Sequence, residues 1–148
     1  MSSDIVFSGR CLCGALAWRG AGPCLWTGHC HCESCRRACL AGFASWLCLP
    51  RAAVIWQGRR SFYHSSPDVQ RGFCQCCGAP VSYETDKRPM EIDLYAASLI
   101  DPEQFVPQAH YHYAERQNWI KLDDRLPKYC AGETGLADPA DQLRGYDA

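Results

Sequence analysis

The stretch His29-Cys30-His31-Cys32-Glu33-Ser34-Cys35-Arg36-Arg37 places three cysteines in the pattern C-x-C-x-x-C, and two arginines follow at once. Three thiolates so close in sequence can reach one metal ion without help from the rest of the chain. A zinc site with three protein ligands leaves its fourth tetrahedral position to something else, which is the arrangement that binds or activates a ligand. Zinc with three thiolates carries a net negative charge, and the guanidinium groups of Arg36 and Arg37 would offset it or hold the carboxylates of an incoming molecule.

The chain contains 12 cysteines in 148 residues. Its start, Met1-Ser2-Ser3-Asp4-Ile5-Val6-Phe7, shows neither a charged leader nor an apolar h-region, so a cytoplasmic location is expected. In a reducing compartment disulfides do not persist, and clustered cysteines more often hold metal. The most apolar run, 38–49, is too short to span a bilayer, so no membrane partner is expected. Formal net charge is -1, and the longest basic runs are the pairs Arg36-Arg37 and Arg59-Arg60. Nucleic acid is therefore not expected as a partner, because phosphate binding needs a basic face.

Two further motifs each carry a pair of thiols. Gly9-Arg10-Cys11-Leu12-Cys13-Gly14 is a C-x-C between glycines, and Cys74-Gln75-Cys76-Cys77-Gly78 contains a C-x-x-C before glycine. Two such halves, Cys11 with Cys13 and Cys74 with Cys77, make a closed four-thiolate site from distant segments. Spacing also allows Cys11 and Cys13 to join two of Cys30, Cys32 and Cys35. Ligand count favours the first pairing, which uses both two-cysteine motifs completely and leaves the three-cysteine motif intact.

The hydrophobic pattern is that of short strands between turns, an all-β class. Strands are expected at 15–18, 53–57, 61–64, 81–85, 90–96, 110–113 and 119–122, with a short helix over 33–40 that stops at Gly42. Asp101-Pro102-Glu103-Gln104-Phe105 reads as a turn or one helical turn. From Ala131 to Ala148 the chain lacks a hydrophobic pattern, and a loose tail is expected there. His110 and His112 share one face of their expected strand, where ordinary packing is the plain alternative to chelation. Cys24, Cys39, Cys48, Cys76 and Cys130 are expected to be small buried hydrophobes. The five tryptophans read as core.

Taken in order, Gly9-x-Cys11-x-Cys13-Gly14, Cys30-His31-Cys32-x-x-Cys35-Arg36-Arg37 and Arg71-x-Phe73-Cys74-x-x-Cys77-Gly78 resemble the glutathione-dependent formaldehyde-activating enzyme family, which also includes centromere protein V. The stretches 97–102, Pro107-x-x-His110, and Trp119 through Asp124-Arg125-Leu126-Pro127 are similar as well, so the likeness runs from Gly9 to Tyr129. The resemblance implies a mostly β fold of the β-tent type, also seen in the Mss4-like group. It implies one zinc-binding domain over 1–130 and a tail over 131–148. It also implies two zinc ions, a structural one on Cys11, Cys13, Cys74 and Cys77 and a catalytic-type one on Cys30, Cys32 and Cys35.

By the same resemblance the activity is a carbon-sulfur lyase that forms or cleaves an S-hydroxymethyl thiol adduct, with a glutathione-like thiol and an aldehyde as partners. Arg36 and Arg37 are the candidate substrate-binding residues. The alternative from another class is a non-catalytic, zinc-stabilised module that carries glutathione or docks a protein or nucleic acid. Cys39 and Cys76 crowd the motifs, and Cys76 competes with Cys77 as a ligand. Cys77 is favoured because it alone gives C-x-x-C before glycine.

Overall fold

In the computed structural model, residues 5–132 are described. In chain order the elements are β1 (Val6–Arg10), β2 (Ala17–Ala21), β3 (Trp26–Cys30), α1 (Glu33–Cys39), β4 (Ala44–Pro50), β5 (Val54–Gln57), β6 (Arg60–Ser66), β7 (Val69–Cys74), β8 (Pro80–Thr85), β9 (Glu91–Tyr95) and β10 (His110–Tyr111). Short 3-10 turns at Arg51–Ala53, Ala96–Ser98, Pro102–Gln104 and Tyr113–Glu115 complete them. The protein is mostly β. The chain separates into two compact units, Met1–Trp26 with Trp46–Phe105 and Thr27–Ser45 with Val106–Ala148.

The first unit is built from sheets that follow directly from residue type. In β1 and β2 only alternate residues are buried, so Phe7 and Trp18 face inward while Val6, Arg10 and Arg19 stay in water. They pair antiparallel, and β5 adds to the other side of β2. A second ladder runs β4-β9-β8-β7-β6, antiparallel throughout. Its inner strands are buried along almost their whole length, and Leu47, Cys48, Leu49 and Leu94 have no exposed surface. The edge strand β6 is mostly exposed, and its Arg60, Tyr63 and His64 suit that position.

The two sheets share one core of Phe7, Trp18, Leu47, Leu49, Ile92, Leu94, Ala96 and Leu99. Each fully buried leucine or isoleucine stabilises the fold by about 1.5–3 kcal/mol through the apolar surface it removes from water. A separate small cluster of Cys11, Leu16, Cys74 and Val81 backs onto the loops that carry the first cysteine pairs. Glu84, buried in β8, is met by Arg60, Arg51 and Gln70, so its charge is paired.

The second unit pairs β3 with β10 in parallel, His29 opposite His110 and Cys30 opposite Tyr111. The strand β10 is held on its other side by the return of the chain: His110 N donates to Pro127 O at 2.8 Å and Tyr129 N to His110 O at 2.8 Å. Thr27 Oγ1 donates to Val106 O at 2.6 Å, pinning the start of the connection.

Several local expectations change. The helix ends at Cys39, one residue early, because Leu40 takes a left-handed conformation (φ 52°, ψ 41°) and its N–H returns to Arg36 O. The strand expected over 110–113 stops at Tyr111, since His112 is also left-handed (φ 52°, ψ 40°), and His110 and His112 do not share a strand face. No strand forms over 119–122: Ile120 N bonds Gln117 O in a turn, and Trp119 is 73% exposed. Of the five spare cysteines only Cys48 is buried; Cys24, Cys76 and Cys130 are exposed and Cys39 is half-buried. The exposed three sit in loops and turns, where a small side chain has no layer to enter. The tail expected over 131–148 falls, from residue 133 on, outside the described residues. Among the described residues no helix is long and apolar enough to cross a membrane.

Candidate metal centres

Among the described residues two groups of thiols gather tightly enough to share an ion, Cys11-Cys13-Cys74-Cys77 and Cys30-Cys32-Cys35, each with its sulfurs within 4.8 Å of one another. The structure therefore brings together the seven cysteines that the motifs singled out and leaves Cys39 and Cys76 outside both groups.

The four-thiol group is made by two loops that close in the same way. Cys11 N bonds Leu16 O at 2.9 Å, and Cys74 N bonds Ala79 O at 2.9 Å. Within each loop a glycine takes a positive φ, 78° at Gly14 and 74° at Gly78, a conformation that costs other residues strain. The closure turns backbone N–H groups toward sulfur: Leu16 N lies 3.3 Å from Cys11 Sγ, and Cys76 N lies 3.4 Å from Cys74 Sγ. Cys76 thus contributes its amide, while its thiol stays outside the group. Cys13 Sγ comes within 3.6 Å of Cys11 Sγ and 3.8 Å of Cys74 Sγ. Backbone N–H groups of Ala79 and Cys13 lower the Cys77 thiol to about 6, toward the thiolate that a metal requires.

The three-thiol group is local. Cys30 ends β3, Cys32 caps α1, and Cys35 lies buried in the first turn. The cap is made by sulfur itself: Cys35 N donates to Cys32 Sγ at 3.3 Å. Contact with Cys30, then with Cys35, pulls the Cys32 thiol down to about 2, while contact with Cys32, then with Cys35, pushes Cys30 far up. Three thiols this close cannot all shed their protons unaided, and a cation is the natural partner for a set that has done so.

Arg36 and Arg37 are placed differently from each other. Arg36 Nε donates to His31 O at 2.9 Å, which ties the guanidinium to the thiol loop. Arg37 Nε pairs with Glu33 Oε1 at 2.8 Å, one turn away on the exposed face of α1.

The sequence motifs did not single out the polar chain beside this group. His31 Nε2 lies 2.8 Å from His110 Nδ1, and His110 Nε2 lies 2.8 Å from Asp124 Oδ2. Burial holds His31 at about 3 and also lowers His110, so both rings are neutral at pH 7. Burial alone would raise the Asp124 carboxyl, but the interactions with His110, the Leu126 N–H and the charge of Lys128 together outweigh it and lower the group. His29, likewise lowered to about 4 by burial, bonds Ser45 Oγ through Nδ1 at 2.8 Å. The available signal was the pair of stretches around His110 and Asp124, read as similar to the family but given no chemical role.

Residues 6–115 match the family model described as glutathione-dependent formaldehyde-activating enzyme. The chain belongs to this family. Among curated proteins it is 26% identical over 127 residues to a Schizosaccharomyces pombe protein named as an uncharacterized lyase, covering 80% of this chain and 93% of the relative. Among solved structures it is similar to a Rhodobacter sphaeroides protein, with a TM-score of 0.54 and 22% identity over 68% of this chain and 97% of the other. That likeness concerns the fold. Membership of the formaldehyde-activating family agrees with two thiol groups able to hold metal ions.

Proposed function

We propose that this member of the family is a carbon-sulfur lyase that joins a glutathione-like thiol to formaldehyde, or splits the adduct, at Cys30, Cys32 and Cys35. The observation that carries the reading is the three-thiol group itself: three sulfurs within 4.8 Å of one another, one short of the four that a closed tetrahedral site requires. Family membership and the lyase name of the fission-yeast relative support the reaction class.

The donor set fits a thiophilic divalent ion, zinc above all, at both groups. At Cys11, Cys13, Cys74 and Cys77 all four positions are filled by protein, the pattern of a structural site. Cys30, Cys32 and Cys35 would hold a zinc ion whose positive charge would favour the thiolate form of an incoming thiol, ordinarily of pKa about 8.5. In the overall reaction the thiol S–H bond breaks, a sulfur-carbon bond forms to the formaldehyde carbon, and the carbonyl oxygen becomes a hydroxyl.

The chain's own part is positional. Cys32, as cap of α1, fixes the loop against the helix. Arg36, anchored through Nε, leaves its terminal nitrogens to a ligand carboxylate. Arg37, on the exposed face, adds positive charge nearby. The cytoplasm, where thiols stay reduced, is the compartment this chemistry suits.

NMR exchange spectroscopy on glutathione, formaldehyde and their adduct tests the reading, with zinc-loaded protein, the Cys32→Ser variant and a protein-free control side by side. Acceleration by wild type, lost in Cys32→Ser, is the expected result. No acceleration by a protein holding both metals would sink the lyase and favour a carrier or a binding module.

A further inference from the structure

One hydrogen-bonded chain in the second unit ends on an unused atom. Asp124 presents Oδ1 and Oδ2 to His110 Nε2 at 3.0 and 2.8 Å, and His110 Nδ1 meets His31 Nε2 at 2.8 Å. An ionised carboxylate only accepts, so the hydrogen on His110 sits at Nε2. A neutral imidazole has one N–H, so His110 Nδ1 accepts, and His31 must donate through Nε2. His31 Nδ1 is thereby left as a bare lone pair. Among the described residues that buried atom has no hydrogen-bond partner.

The orientation of the carboxylate is itself fixed. Leu126 N donates to Asp124 Oδ1 at 3.2 Å, and Lys128 Nζ approaches the same oxygen at 3.4 Å. The rings are held too, since His110 is wholly buried between β3 and the returning chain, and His31 is 1% exposed with Tyr113 edge-on at 5.1 Å. His31 stands between Cys30 and Cys32, and Arg36 holds its carbonyl. Buried polar atoms almost always find a partner, so an open acceptor on the residue that separates two of the thiols in sequence points to a donor that arrives with a ligand or as an ordered water.

We propose that Asp124 and His110 are positioning residues that lock His31 in the tautomer with a free Nδ1, and that this Nδ1 accepts the hydroxyl hydrogen of the thiol–formaldehyde adduct. The lock stands on the geometry; the identity of the donor rests on the reading under Proposed function.

Long-range proton–nitrogen NMR of the histidine rings in zinc-loaded protein decides the lock without any variant. Expected are hydrogen-free Nδ1 atoms on His31 and His110 and hydrogen-bearing Nε2 atoms on both. A hydrogen on His31 Nδ1 would overturn the proposal. Adding S-hydroxymethylglutathione should move the His31 Nδ1 signal, whereas S-methylglutathione, which lacks the hydroxyl, should not. Equal responses to both, or none to either, would mean that a buried water is the only donor and would overturn the assignment.

Asp124→Asn provides the second arm. Its oxygen would take the Oδ1 place, where Leu126 N and Lys128 need an acceptor, so its NH2 would face His110 Nε2 and drive both rings to the opposite tautomer. The expected result is a reversed ring spectrum with kcat lower by about 100-fold and the thiol KM nearly unchanged, an effect of the size seen when one oriented partner of the reacting group is lost. Asp124→Glu, which keeps the carboxylate, should restore both readouts in part. A reversed spectrum with unchanged kcat would overturn the role of Nδ1 in the reaction. If wild type accelerates nothing, the lyase reading falls, while the ring spectra still judge the lock.

Discussion

The two thiol groups are opposites in how the chain makes them. Cys11 and Cys13 meet Cys74 and Cys77 across a separation of 61 residues between Cys13 and Cys74, through two loops closed by the same backbone bonds. Cys30, Cys32 and Cys35 come from one strand end and the helix turn that follows it. Around the first group the sulfurs are met by backbone N–H groups, which hold thiolates but move no protons. Beside the second run two neutral buried imidazoles, a carboxylate and a tethered guanidinium. On the reading proposed above, the long-range thiols staple the fold through a metal ion, whereas the local thiols leave room for surrounding elements to supply chemistry.

The largest effect should come from breaking the staple. Structural zinc is worth about 10–16 kcal/mol of apparent binding free energy, against a whole-domain stability of about 5–15 kcal/mol. Cys74→Ser should therefore abolish cooperative thermal unfolding as followed by circular dichroism. A variant that melts like wild type would end the contrast between the groups.

Cys32→Ser should behave in the opposite way. It is expected to lose one equivalent of metal by elemental analysis and the thiol-dependent activity, while still unfolding cooperatively. Loss of folding here would make both groups staples.

A third effect concerns the imidazoles beside the local group. His29 and His31, held near 4 and 3 by burial, bind fewer protons folded than unfolded in the window between about pH 6.5 and those folded values. Their contribution to stability is thus complete above about pH 6.5, declines progressively as the pH falls below it, and is gone once the folded values are passed. The urea midpoint of metal-loaded protein should drop between pH 7 and pH 5, with metal content assayed at each point, and His29→Gln should flatten part of the drop. An unchanged midpoint with metal retained would remove the burial argument.

The smallest effect tests the loop geometry of the staple. A Cβ at Gly78 would meet nothing within 4 Å, so Gly78→Ala probes only the backbone at φ 74°. The cost should be about 1–2 kcal/mol, read as a lower urea midpoint with metal content unchanged. A neutral outcome would show that the loop does not need its left-handed residue.

Much of this was legible in the residues. Apolar runs such as 43–49 and alternation over 81–85 and 90–96 lie where β4, β8 and β9 form, because burial on two faces or one leaves a direct pattern. What failed to show follows one rule: a short segment takes its conformation from its neighbours. Residues 119–122 alternate like a strand, yet among the described residues no strand pairs with them, and Ile120 N closes a turn on Gln117 O instead. His110 and His112 look equivalent two residues apart, but the left-handed backbone at His112 ends the strand between them.

By itself the sequence determined the mostly β class, the family likeness and which cysteines would group, since glycine-flanked thiol motifs carry their loop geometry with them. Only the tertiary structure decided the surroundings of Cys30, Cys32 and Cys35. His31 and His110 are 79 residues apart, and His110 and Asp124 a further 14, so no local pattern records their alignment. It arises because the parallel pairing of β3 with β10 and the return of the chain past Pro127 bury both rings together, and a buried ring must find its hydrogen bond where the backbone happens to place one.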